Sequence, residues 1–174
     1  MIDTIKRAFP QTEINGCLET RTETEFHIYD HETEKRCYVH TDSEGIKHFT
    51  VENVSGRPVH FLAIDKCLFF DNDGPKRCDC AIFDKETFCF IEIKTTSSMT
   101  QRKKLRREAK NQLKAAVTFF RENITFTSTQ IEAYVSSLID SQTRPLNRAS
   151  LIDEIEEFEE IGVILFHNNR KKFE

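Results

Sequence analysis

Two apolar runs, CDCAIF at residues 78–83 and TFCFIEIK at residues 87–94, are separated by only three polar residues, Asp84, Lys85 and Glu86. Short runs of this kind closed by a polar link read as the two strands of a β-hairpin. Side chains alternate along a strand, so Glu92 and Lys94 share one face while Ile91 and Ile93 turn to the other, toward a core. Asp79 lies on the partner strand, with Cys78 and Cys80 on its opposite side. A turn at 84–86 therefore brings Asp79 and Glu92 together on one face. Directly afterwards the hydrophobic period changes. Leu105, Ala109, Leu113, Ala116, Val117, Phe120 and Ile124 recur largely at steps of three and four, which marks one face of a helix within 99–124.

The flanking segments extend this hairpin–helix unit on both sides. Residues 24–30 (TEFHIYD), 35–41 (KRCYVHT) and 46–52 (IKHFTVE) alternate in part and are broken by the polar links HETE and DSEG, so an antiparallel β meander is expected there. Residues 60–70 (HFLAIDKCLFF) are apolar enough for either a strand or a short helix. A turn is expected over the following DNDGP. After the long helix, residues 130–139 (QIEAYVSSLI) read as a strand. Ser150 followed by acids in the first turn signals the start of a second helix, and Gly162 its stop. VILFH at 163–167 reads as a last buried strand, and the polar tail 168–174 as a frayed end. One domain over 1–174 is expected, with 1–58 a β-rich extension and 59–174 the core. The fold class is α/β, with a central mixed sheet flanked by helices.

Hydrophobic residues make up 38% of the 174-residue chain, enough for one packed core. The net charge of −4 does not suit a generic nucleic-acid coat protein, so any contact with nucleic acid must come from a local basic patch. The six cysteines include no CxxC pair, and the N-terminal residues have no apolar stretch able to act as a signal peptide. We therefore expect reduced thiols, a cytoplasmic location and no membrane association. The six histidines are scattered and form no HExxH or comparable pair.

Two carboxylates and a lysine on an otherwise apolar sheet are costly to bury without partners. A hard divalent cation, Mg²⁺ or Mn²⁺, is one partner that suits carboxylate oxygens, and a neighbouring ammonium can position water or stabilise charge developing on a phosphate. The competing reading is an exposed strand pair joined by a weak surface salt bridge. The flanking FCFI-E-I sequence is too apolar for that.

The stretch GPKRCDCAIFDKETFCFIEIKTTS, residues 74–97, resembles the PD-(D/E)xK superfamily, the restriction-endonuclease-like nucleases, over roughly residues 60–140. The order hairpin, helix, strand is similar to that family's core, so the resemblance implies a restriction-endonuclease-like sheet. It also implies that Asp79 and Glu92 are metal ligands, with the carbonyl of Ile93 a further ligand and Lys94 the catalytic lysine. Some members carry a glutamine facing the site on the following helix, a place that Gln112 can take. The tyrosine that often follows it by four residues is replaced by Ala116, and the proline that usually precedes the first aspartate is absent. For the acid that many members place upstream, Glu52 and Asp65 are the candidates.

Around this motif runs a basic stretch with Arg102, Lys103, Lys104, Arg106, Arg107, Lys110 and Lys114 against the single acid Glu108, preceded by Lys76 and Arg77. Such clustering is the footprint of phosphate contact, although charge runs also form plain solvated helix faces. The expected function is metal-dependent hydrolysis of phosphodiester bonds in DNA rather than RNA. The chain would act as a homodimer or as a subunit of a larger complex, and a role in defence or on a mobile element suits the family. The alternatives are an inactive nuclease-fold module that binds nucleic acid or protein, and a nucleic-acid binder that relies on the basic helix alone.

Overall fold

In a computed structural model, which describes residues 1–70, 76–95, 99–138 and 148–174, the chain opens with two short helices, α1 (Ile2–Ala8) and α2 (Gln11–Ile14). Five strands follow: β1 (Leu18–Arg21), β2 (Glu25–Asp30), β3 (Cys37–His40), β4 (Phe49–Asn53) and β5 (Val59–Ala63). The hairpin comes next as β6 (Cys80–Phe83) and β7 (Thr87–Thr95), then α3 (Met99–Asn123), β8 (Gln130–Leu138), α4 (Arg148–Glu159), β9 (Ile164–Phe166) and β10 (Arg170–Phe173). The turn expected over 71–75 and the last residue of the strand expected over 130–139 lie outside the described residues.

Two mixed sheets result. The larger has the order β1-β5-β6-β7-β8-β9, antiparallel as far as β7 and parallel from β7 to β9. The change of direction follows from the connections. A three-residue link returns β6 to β7 as a hairpin, whereas a parallel β7–β8 pair needs a long crossover, which α3 supplies. The smaller sheet has the order β10-β4-β2-β3.

The expected strands of the N-terminal region exist, but not as a meander. β2 lies in the middle of its sheet and pairs with both β3 and β4. Within the 1–58 β-rich segment, β1 joins the larger sheet beside β5. The tail read as frayed is instead β10, which pairs in parallel with β4. α1, α2 and β1 lie in a segment whose pattern predicts no element. α4 begins at Arg148, ahead of the Ser150 cap expected from the sequence; the Ser150 side chain lies outside the described residues.

The core forms on both faces of the larger sheet. On one face, Phe88 and Phe90 of β7 pack against Phe120 of α3, with ring centroids 5.9 and 5.2 Å apart, and Phe9 reaches Phe120 at 5.1 Å. The expected helix stripe is observed: Ala109, Leu113, Ala116, Val117, Phe120 and Ile124 are buried. On the other face, Phe49 of β4 meets Tyr134 of β8 edge-on at 5.2 Å. Here a buried carboxylate, Glu132 of β8, receives Lys171 Nζ at 2.8 Å on each oxygen, Tyr134 Oη at 2.7 Å and the Cys89 thiol at 3.4 Å. Burial alone would raise the Glu132 carboxyl, but the Lys171 and Tyr134 hydrogen bonds outweigh it and hold the group below its ordinary range.

One expectation about the cysteines is corrected. Cys17 and Cys67 are joined in a disulfide, while Cys37, Cys78, Cys80 and Cys89 are free and buried. The pairing depends on tertiary structure, since the Ala63 N–H at the end of β5 donates to the Cys17 carbonyl at 2.9 Å and brings Cys17 beside the turn that holds Cys67. Among the described residues, no helix is long and apolar enough to cross a membrane.

Lys171 and Glu132 hold β10 to the larger sheet. Removing one partner of a buried ion pair leaves an uncompensated charge. Lys171→Ala is expected to lower unfolding free energy by about 3–5 kcal/mol in chemical denaturation, and the double variant Glu132→Gln/Lys171→Met is expected to recover most of it.

Candidate metal and catalytic site

β6 and β7 pair with Cys80 opposite Ile91, so continuing the register by one residue sets Asp79 level with Glu92. Asp79 is fixed from two directions. Its carbonyl accepts the N–H groups of Ile64 and Asp65 at 3.0 and 3.1 Å, and its Oδ2 accepts the Ile93 N–H at 2.6 Å. The Ile93 carbonyl belongs to the same strand edge, because both backbone polar groups of a strand residue face one neighbour.

Glu92 and Lys94 lie on the face of β7 that α3 covers. Glu92 has no exposed surface. Lys94 Nζ stands 2.5 Å from Glu92 Oε1, with the lysine side chain 20% exposed. Glu92 Oε2 meets no hydrogen-bond donor among the described residues. The ammonium also donates to Gln112 Oε1 at 3.0 Å, and Gln112 Nε2 donates to the Arg77 carbonyl at 3.1 Å. The amide of Gln112 is thereby oriented, with its oxygen toward the lysine and its nitrogen toward the chain entering β6. Asp79, Glu92, Lys94 and Gln112 come together from the residue before β6, from β7 and from α3. The salt-bridge reading of Glu92 and Lys94 holds in one respect, since they are ion-paired, but the pair is buried rather than on the surface.

The electrostatics follow from burial. Desolvation raises the Asp79 carboxyl to about 7, against the opposing pull of the Ile93 N–H and the Lys94 charge. Glu92 is pushed well above the ordinary carboxylate range, first by burial and then by Asp79. For Lys94, burial favours the neutral amine, but the Glu92 carboxylate outweighs it and the net effect is upward. Glu132 shows that burial on this sheet does not by itself leave a carboxylate unsatisfied: it lies on the neighbouring strand, is also buried, and has donors on both oxygens.

Asp30, which the sequence reading did not single out, also belongs to this region. It ends β2, is half-buried, and lies close enough to interact electrostatically with Asp65, Asp79 and Lys94. Nothing in the spacing of the motif could have revealed it, since it comes from the smaller sheet. Of the two candidates for an upstream acid, Asp65 accepts Arg77 Nε at 2.7 Å, while Glu52 is paired with Arg170 of β10. As they stand, no three His, Cys, Asp or Glu side chains among the described residues form a group that could hold a metal ion.

The basic residues divide into two sets. Arg106, Lys110 and Lys114 form one stripe of α3 at steps of four, and that stripe faces α4. Arg106 holds Glu154 through Nε at 2.9 Å to each oxygen and Nη2 at 2.6 Å, Lys110 lies 3.3 Å from Glu154, and Lys114 lies 2.9 Å from Glu157. Arg77 is likewise engaged, with Asp65 and with the Phe70 carbonyl at 2.7 Å. These groups stitch the fold together, a role the sequence reading did not give Arg77, Arg106 or Lys110. Lys76, Lys103, Lys104 and Arg107 are exposed. The side chain of Arg102 lies outside the described residues.

No protein-family model, curated protein or solved structure matches this chain.

The raised carboxyls make stability depend on pH with a definite sign. Unfolded, Asp79 ionises near 3.8; folded, it holds its proton up to about 7. Over that window the folded state binds more protons, so stability falls as pH rises. In EDTA, wild-type melting temperature is expected to drop more steeply from about pH 4 to about pH 7 than that of Asp79→Asn. Adding Mn²⁺ near the upper end is expected to restore the wild type and leave the variant unmoved.

Proposed function

We propose that this protein is a divalent-metal-dependent nuclease of the restriction-endonuclease-like class, hydrolysing phosphodiester bonds of DNA. The observation that carries the reading is Glu92: a fully buried carboxylate with one oxygen that meets no donor among the described residues, beside a second carboxylate and an ammonium. Buried polar groups are normally satisfied, and titratable groups with shifted proton affinity cluster at functional sites.

The residues fit a hard cation. Asp79 and Glu92 offer carboxylate oxygens, and the Ile93 carbonyl lies on the same strand edge. Mg²⁺ keeps several of its waters and needs few protein ligands, so two carboxylates suffice. Bound there, Mg²⁺ or Mn²⁺ supplies charge neutralisation at the phosphate and makes a water more acidic.

The remaining roles fall to the chain's own groups. Lys94 brings a positive charge to the position where negative charge develops on the phosphate, and Gln112 holds that ammonium in place. The Arg77 carbonyl fixes the Gln112 amide in turn. Lys76, Lys103, Lys104 and Arg107 offer exposed cations near the start of α3 for the flanking phosphates. The order hairpin, crossover helix, parallel strand β8 supports the reading, being similar to the order in the core of this class.

A cleavage panel of single- and double-stranded DNA and RNA, each with Mg²⁺, Mn²⁺ or EDTA, tests the proposal. Metal-dependent cleavage of DNA is expected. Lys94→Ala is expected to lower the rate by about 10²–10³-fold, as for loss of one electrostatic stabiliser, with an unchanged circular-dichroism spectrum. Absence of product from folded wild-type protein under every condition would overturn the activity and favour a binding module.

A further inference from the structure

We infer that the Cys17–Cys67 disulfide is a positioning device for Asp79, so that the site's hold on a cation depends on the oxidation state of two cysteines outside it. Cys67 lies in the turn that leaves β5, and that turn is held from two sides. On the side of the site, the Ile64 and Asp65 N–H groups donate to the Asp79 carbonyl at 3.0 and 3.1 Å, and the Asp65 carboxylate accepts Arg77 Nε at 2.7 Å. Arg77 also donates to the Phe70 carbonyl at 2.7 Å, while its own carbonyl receives Gln112, which holds Lys94. On the far side, the disulfide joins Cys67 to Cys17, and Asn15 Nδ2 donates to the Cys67 carbonyl at 3.0 Å. Cys17 is itself anchored, since its carbonyl accepts the Ala63 N–H and its N–H donates to the Thr12 carbonyl, each at 2.9 Å. Lys66, between Asp65 and Cys67, has a φ of +58°. A residue with a side chain keeps that left-handed conformation only where its surroundings hold it there.

Both cysteines are buried, so the reductant is a small dithiol. One of its sulfurs, as thiolate, attacks one sulfur of the pair; the S–S bond breaks, and the other cysteine leaves and takes up a proton. The second sulfur of the reductant then displaces the first cysteine, which is protonated in turn. Two electrons and two protons pass in all from the dithiol, now a cyclic disulfide, to Cys17 and Cys67. With the link gone, Lys66 relaxes toward ordinary φ and the Ile64 and Asp65 N–H groups lose their fixed aim. The Asp79 carboxylate then shifts against the Ile93 N–H, which it accepts at 2.6 Å. Removing the support behind a metal ligand costs about 10–100-fold in metal affinity. The displacement of Asp79 stands on these contacts alone, whereas the loss of affinity rests on the cation site proposed above.

Full-length protein, either oxidised or reduced with dithiothreitol and desalted under argon, is compared by amide hydrogen exchange and by Mn²⁺ titration. Reduction is expected to speed exchange at Ile64, Asp65 and Ile93. Thr50 and Asn53 of the smaller sheet, which donate to the Asn169 and Thr24 carbonyls, are expected to stay unchanged. Affinity for Mn²⁺ is expected to fall by about 10–100-fold and to return on reoxidation. Cys17→Ser/Cys67→Ser is expected to match the reduced protein and to ignore the reductant; if it does not fold, reduced wild type carries the test. Unchanged exchange at Ile93 would overturn the inference. So would equal acceleration at all five amides, the result for a disulfide that merely stabilises the fold, or an Mn²⁺ affinity indifferent to reduction. Failure of even the oxidised protein to take up Mn²⁺ would count against the cation site instead, and the exchange rates would then decide the inference.

Discussion

The structure places a carboxylate, Glu92, with no exposed surface, in the middle of the sheet and beneath α3. Burying an ionised carboxylate is tolerated only with compensation, and its surroundings are arranged around that requirement. Lys94, two residues on along the same face, supplies the countercharge. The helix returns Gln112 to hold the lysine, and the amide then grips the chain at Arg77, two residues before Asp79. The position of Asp79 therefore depends on both of its own strand contacts and, through Arg77, on the helix.

Two buried carboxylates on adjacent strands of one sheet make the functional argument a comparison. Glu132 has a donor for each oxygen and binds its proton more weakly than usual; it holds the C-terminal strand in place. Glu92 has one ion-paired oxygen and one without a donor among the described residues, and binds its proton more tightly than usual. The fold can satisfy a carboxylate in this sheet, and at Glu92 it does so only in part. That difference gives the reading of a cation site its physical basis.

Much of this site was legible because it is local. Alternation along residues 87–94 put Glu92 and Lys94 on one face and a short polar link put Asp79 opposite, while Gln112 was suggested only by the family resemblance. What the sequence hid was long-range. The stripe Arg106, Lys110 and Lys114 reads as a phosphate-binding run until α4 folds back with Glu154 and Glu157. Asp30 has no sequence neighbour in the motif, and the smaller sheet brings it there. The tail RKKF is too polar to suggest a strand, yet Lys171 finds Glu132 and Phe173 is buried. The Cys17–Cys67 bond joins residues 50 apart, a pairing that spacing alone does not reveal.

The central claim is that Asp79 and Glu92 together hold a divalent cation in place of the protons that burial favours on the pair. Calorimetric titration of Mn²⁺ into the protein near neutral pH, repeated in buffers of different ionisation enthalpy, counts those protons directly. The claim requires saturable binding with net proton release in wild type, and loss of both in Asp79→Asn/Glu92→Gln. Binding that releases no protons, or that persists in the double variant, would contradict it.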